Sequence, residues 1–199
     1  MKTNLQFIHV GKCGGMTIRN MLKSQSILFF AIHVQAPMLD SQFKSIIPIR
    51  NPVERFCSAF YWRKKKTSHN QKLRFNGEKN FLDKHKDINS LIDNLEELQT
   101  NYVHHIGEGY HWYLANYLKV LTPQLLKGLV FTNSIKEDLG KMYGKEFDDL
   151  WDNKGTSEYE LTSKEREKLK EHLALDYKTL EQLFNKVSIN NNKTKDILK

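Results

Sequence analysis

The stretch at residues 7–18, FIHVGKCGGMTI, constrains this chain more than any other. An apolar run gives way to a loop holding Gly11, Gly14 and Gly15. An amphipathic segment follows, with Ile18, Met21 and Leu22 at helical spacing. A strand, a glycine turn and a helix in that order gather several backbone N–H groups around one point. The positive end of the helix then favours an anion. Gly14 and Gly15 let the backbone approach closely because neither carries a Cβ. Thr17 adds a hydroxyl where the helix starts, and Lys12 adds a mobile charge. Taken alone, the loop has two readings: an anion cradle, or a tight turn with Lys12 in solvent.

The place of the lysine is unusual for a nucleotide loop. In G-x-x-x-x-G-K-[ST] the lysine closes the glycine run at the helix start. Here Lys12 comes before the Gly14-Gly15 pair. No acidic Mg²⁺-holding signature accompanies it.

The surrounding pattern predicts an α/β fold with a mainly parallel sheet. Residues 6–10 and 45–49 read as strands, and Pro48 must sit at a sheet edge or near the end of its strand. The continuous apolar run at 26–32, SILFFAI, reads as a strand covered on both faces. Residues 129–132 give a further strand. Helices are expected at 16–23, 88–98, 110–121 and 134–143, and one long helix at 163–186, with Ser163 at its start and Glu165 in its first turn. The polar segment 67–89 reads as a loop or insertion and 188–199 as a fraying tail. At 199 residues the chain fits a single domain with a sizeable core.

A second motif, IRNPVERFCSAFYW at 49–62, has strong helix punctuation. Asn51 suits the N-cap, Pro52 the first helical position and Glu54 the positive first turn. Arg50 ends a strand just ahead of that helix, so its guanidinium can fork onto a phosphate there. By itself this is an amphipathic helix with arginines.

Together and in this order, the two motifs resemble the nucleotide-binding signatures of sulfotransferases, in particular the carbohydrate branch that includes heparan sulfate 2-O-sulfotransferases. That family transfers a sulfuryl group from 3′-phosphoadenosine-5′-phosphosulfate (PAPS). Its first signature, roughly P-K-[ST]-G-G-T-[ST], is matched by Gly11, Lys12, Cys13, Gly14, Gly15, Met16 and Thr17, with departures at Gly11, Cys13 and Met16. Its second, roughly R-[DN]-P-x-x-R-x-x-S, is matched from Arg50 through Arg55 to Ser58. Weaker similarity extends to residues 127–143 and 154–165.

The resemblance implies a P-loop-like three-layer fold and gives the early lysine a purpose. Lys12 would reach the oxygen bridging phosphorus and sulfur, where negative charge grows in the transition state. Residues 12–17 would hold the 5′-phosphosulfate, and Arg50 with Ser58 the 3′-phosphate, while Arg55 would support the helix or a nearby carboxylate, with a second phosphate contact as the alternative. Thr156 and Ser157 are candidates for a lid over the adenine. His33, followed by Val34 at the end of the second strand, matches the branch's base for the acceptor hydroxyl, with Glu54 as second choice. The product would be adenosine 3′,5′-bisphosphate, and no metal is expected. His9 reads as structural. His104 and His105 are adjacent in sequence, which argues against convergence on one metal ion, although either could touch the acceptor.

The balance of 31 basic and 23 acidic residues gives a net charge of +8, which suits an anionic ligand. Two cysteines make no disulfide framework. With no leader and no run of ~20 apolar residues, the expectation is a cytoplasmic protein that takes a glycan or glycoconjugate rather than nucleic acid. The alternatives are a nucleoside-triphosphate-dependent kinase and a non-enzymatic basic polyanion-binding protein.

Overall fold

Among the described residues, four strands, β1 (Leu5–Ile8), β2 (Phe30–Ile32), β3 (Lys44–Ile49) and β4 (Leu126–Phe131), form one all-parallel sheet in the order β2-β1-β3-β4. The computed structural model describes residues 4–32, 43–68, 77–148 and 159–199. Parallel neighbours require crossovers, and helices supply them. Helix α1 (Gly15–Ser24) links β1 to β2. Helices α2 (Pro52–Ser68), α3 (Glu78–Lys84), α4 (Ile88–Asp93) and α5 (Tyr110–Leu114) lie between β3 and β4. Helices α6 (Ile135–Tyr143), α7 (Ser163–His172), α8 (Ala174–Lys186) and α9 (Asn192–Leu198) follow β4.

Period-two alternation sorts the strand side chains into two layers. Ile8, Ile47, Ile49, Leu129 and Phe131 pack with Tyr110, Leu114, Leu180, Leu183 and Ile197 of α5, α8 and α9. Phe7, Ile46 and Val130 pack on the other face with Ile18, Met21 and Leu22 of α1 and Ile135 and Leu139 of α6. A third apolar cluster joins Phe56 and Phe60 of α2 to Phe81, Ile88, Leu91 and Leu169 of α3, α4 and α7. Arg63 of α2 and Glu78 of α3 form an ion pair buried beside it.

This strand order positions the site. The chain leaves β1 toward β2 on one side, while β3 lies on the other. The strand order therefore reverses at the carboxyl ends of β1 and β3, where open parallel sheets bind ligands. The glycine loop follows β1 and Arg50 follows β3.

Several elements differ from expectation. The 26–32 run contributes only the three-residue edge strand β2, and Phe30 is half exposed. The expected loop at 67–89 contains α3, because Phe81 and Leu82 find an apolar neighbour in α2; residues 69–76 lie outside the described residues. The expected helix at 110–121 is the short α5 followed by a 3₁₀ turn at Tyr117–Lys119. The long helix breaks at buried Leu173 into α7 and α8, and Thr162 rather than Ser163 is its cap, in a reciprocal box with Glu165. The expected tail forms α9, capped by Asn191 and anchored by buried Ile197. Pro48 is one residue from the end of β3, beyond the part paired with β1.

Candidate functional site

The loop after β1 has the geometry of an open helix start. Lys12 and Gly14 take left-handed backbone angles, with φ of +67° and +74°. Gly14 is the N-cap of α1, yet no side chain caps the helix and its first turn holds no acid. All three glycines are required by neighbours packed behind the loop. A Cβ on Gly15 would stand 1.8 Å from Nε2 of His9, one on Gly14 2.7 Å from Ile135, and one on Gly11 2.5 Å from Nδ1 of His105. His9, stacked on Phe7, is therefore the structural support expected of it.

Two cations converge on this loop. Arg50 Nη1 donates to the carbonyl of Lys12 at 3.2 Å, which joins the two motifs directly. Arg50 Nε makes no hydrogen bond among the described residues, and its nearest carboxylate, Glu54, is 3.6 Å away and half exposed. Lys12 Nζ rests over the Trp62 ring, 5.0 Å from its centroid. Burial, with repulsion from Arg50 and Lys66 behind it, lowers the Lys12 pKa from 10.5 to about 8. The site thus holds positive charge at some cost, and a bound anion would relieve it.

The other motif residues are used in different ways. Cys13 is fully buried with its Sγ 3.1 Å from the Tyr110 hydroxyl, and burial pushes its thiol up. Only its backbone remains for a ligand. Tyr110 in turn accepts from the Arg50 N–H at 2.6 Å, tying α5 to the end of β3. Thr17 is buried and Met16 is exposed on the first turn of α1. Ser58 is partly exposed on α2. Asn51 Oδ1 accepts from the N–H groups of Val53 and Glu54, as a cap should. Arg55 faces inward, fully buried, and donates to the carbonyls of His105 and Ile106 at 2.9 and 3.5 Å. It supports a loop rather than the helix or a carboxylate. His33, Thr156 and Ser157 lie outside the described residues.

That loop brings a cluster to the site that the motifs did not assign. Glu108 accepts from the Tyr102 hydroxyl at 2.6 Å and from His104 Nδ1 at 2.9 Å, and His105 Nδ1 lies 3.2 Å from its other oxygen. Burial opposes the Glu108 charge, but these donors outweigh it and hold the carboxyl well below the usual range. The two imidazoles stack at 3.8 Å, contrary to the expectation that adjacent histidines would not converge. His105 itself takes a left-handed φ of +64°. The ligand atoms of His104, His105 and Glu108 lie within 4.8 Å of one another, close enough to share one cation. The sequence did carry a signal, a His-His-x-x-Glu spacing behind Tyr102.

A cavity of about 660 Å³ opens between α5 and α8, lined by His111, Trp112, Lys119, His172 and Asp176 among others. It includes none of the motif residues, so its size does not mark it as the reaction centre. Comparison of the chain with protein families, curated proteins and solved structures found no match.

Proposed function

We infer that the protein is a sulfotransferase with a P-loop-like fold, moving a sulfuryl group from PAPS to a hydroxyl of a glycan or glycoconjugate. The observation that carries this reading is the hydrogen bond from Arg50 to the Lys12 carbonyl. It joins two separate sequence signatures at adjacent carboxyl ends of parallel strands, where such sheets bind ligands.

The residues fit an anionic donor. Lys12 and Arg50 offer charge, Arg50 retains donor capacity, and the first turn of α1 has neither a capping side chain nor an acid. PAPS, when bound, supplies the sulfuryl group and a phosphate leaving group. The Lys12 ammonium would meet the bridging oxygen, which gains charge as its bond to sulfur breaks. Backbone N–H groups of residues 13–17 would receive the 5′-phosphate end. Arg50 with Ser58 would hold the 3′-phosphate, a point a nucleoside 5′-monophosphate lacks. The resemblance gives the acceptor's proton to His33.

Turnover tests this reading. Sulfur-labelled PAPS should pass label to hydroxyl compounds, or release sulfate to water, without added Mg²⁺. Lys12→Met should slow that release by about 10²–10³, the range for loss of one charge-stabilising donor. Undiminished release in that variant, or label transfer only from a nucleoside triphosphate, would contradict it.

A further inference from the structure

The described residues hold an imidazole other than His33 beside the glycine loop. Resting on the sulfotransferase reading, we propose that His105, in place of the His33 suggested by the resemblance, is the catalytic base of this site and that Glu108 is the residue that positions it.

The argument starts from the carboxylate. An ionised carboxylate only accepts hydrogen bonds. An imidazole that faces it through Nδ1 therefore carries its proton there and leaves Nε2 as the acceptor. His104 Nδ1 is hydrogen-bonded to Glu108 at 2.9 Å, whereas His105 Nδ1 faces the other oxygen at 3.2 Å as an ionic contact outside hydrogen-bond geometry. The two rings differ in access. His104 is 8% exposed, whereas His105 is 18% exposed with its Nδ1 buried. His105 is the member of the pair that can meet a substrate.

Its location is fixed by the donor loop itself. The ring lies against Gly11, where a Cβ would stand 2.5 Å from Nδ1. His105 and Lys12 also share one indole: the imidazole is 5.2 Å from the Trp62 ring, and Lys12 Nζ is 5.0 Å from it. The backbone at His105 adopts a left-handed angle that L-residues avoid, and buried Arg55 holds it by donating to the His105 carbonyl. Arg55 thus fixes the backbone that carries the imidazole. A shared metal ion is the competing use of the cluster. It would need both Nδ1 protons removed, and it would compete with the Tyr102 hydroxyl for the carboxylate.

The groups facing His105 are Glu108 and His104 from its own loop and Arg55 from α2, with neutral Trp62 and Gly11 completing the contact. Burial, helped by repulsion from His104 and Arg55, lowers the His105 pKa against the pull of Glu108. In the reaction, Nε2 of His105 takes the acceptor's hydroxyl proton as the new O–S bond forms. The bridging S–O bond breaks, its electron pair leaves on adenosine 3′,5′-bisphosphate, and the imidazolium then returns the proton to water.

The test combines a structural readout with turnover. Nitrogen NMR of the full chain should find His105 protonated on Nδ1 at neutral pH. His105→Asn, which tolerates the left-handed angle, should bind adenosine 3′,5′-bisphosphate as wild type does. It should lose about 10²–10⁴ of labelled-sulfate release from PAPS to water, the usual share of a general base. Glu108→Gln should move the acid limb of the pH–rate profile down, since the charge that supports the imidazolium is gone. A proton on Nε2, or His105→Asn releasing sulfate at the wild-type rate, would overturn the proposal while leaving the donor reading intact. Stoichiometric Zn²⁺ binding lost in His105→Asn would also overturn it, making the cluster a metal site. A wild-type chain that does not prefer the bisphosphate over adenosine 5′-monophosphate would remove the donor reading, and with it this one.

Discussion

At the residue scale, Lys12 carries the tension between stability and function. Its pKa is about 8 in the folded chain against an ordinary 10.5, with burial the main cause. Between those values the unfolded chain binds more protons than the folded one, so stability rises with pH across that window. At pH 7 the charged side chain is a net burden, and Lys12→Met should raise the melting temperature. A gain of about 2–4 °C would correspond to about 1 kcal/mol in a domain of this size. A bound anion favours the ammonium, so affinity for adenosine 3′,5′-bisphosphate should weaken as pH climbs through about 8. Calorimetry from pH 6.5 to 9.5 on wild type and Lys12→Met measures this, and the variant should lack that pH dependence. A variant less stable than wild type, with the same pH dependence, would mean that Lys12 is an ordinary surface lysine. The glycine loop and Arg50 were legible because local sequence sets them: a strand end, a turn without Cβ atoms, a capped helix. The burial of Cys13 against Tyr110 and the Glu108 cluster were not, because their partners come from a loop and α5, distant in sequence.

At the element scale, α2 joins the site to the rest of the fold. Asn51 caps it with Oδ1 and donates from Nδ2 to the Ile197 carbonyl of α9 at 3.0 Å. One side chain thus starts one helix and anchors another. Asn51→Ala should cost about 1 kcal/mol from the lost cap, with α9 exchanging amide hydrogens faster. Asn51→Asp should recover the cap but not the protection of α9. Urea denaturation with hydrogen exchange separates the two, and unchanged α9 protection in both variants would contradict the link. The tail read as fraying because 188–199 is rich in Asn and Lys. What the composition hides is that Asn191 and Thr194 cap one another and Ile197 reaches the core. The α3 segment was obscured in the same way: two apolar residues in a polar stretch suffice when α2 offers them a surface.

At the scale of the whole molecule, the parallel sheet that the described residues form, with helices on both faces, accounts for the placement of the site. Its strand order was not readable from periodicity, which gives strands but not their neighbours. No helix among the described residues is long and apolar enough to cross a membrane. A net charge of +8 draws polyanions of any kind, so attraction to an anionic glycan would not by itself distinguish the enzyme from a basic binding protein. A second, separately held phosphate does distinguish them. The most direct measurement is calorimetry of adenosine 3′,5′-bisphosphate against adenosine 5′-monophosphate on wild type and Arg50→Ala. The account predicts a wild-type preference of about 10–100-fold, the value of one charged hydrogen-bonded contact. It also predicts that Arg50→Ala erases most of that preference. Equal wild-type affinities would contradict it.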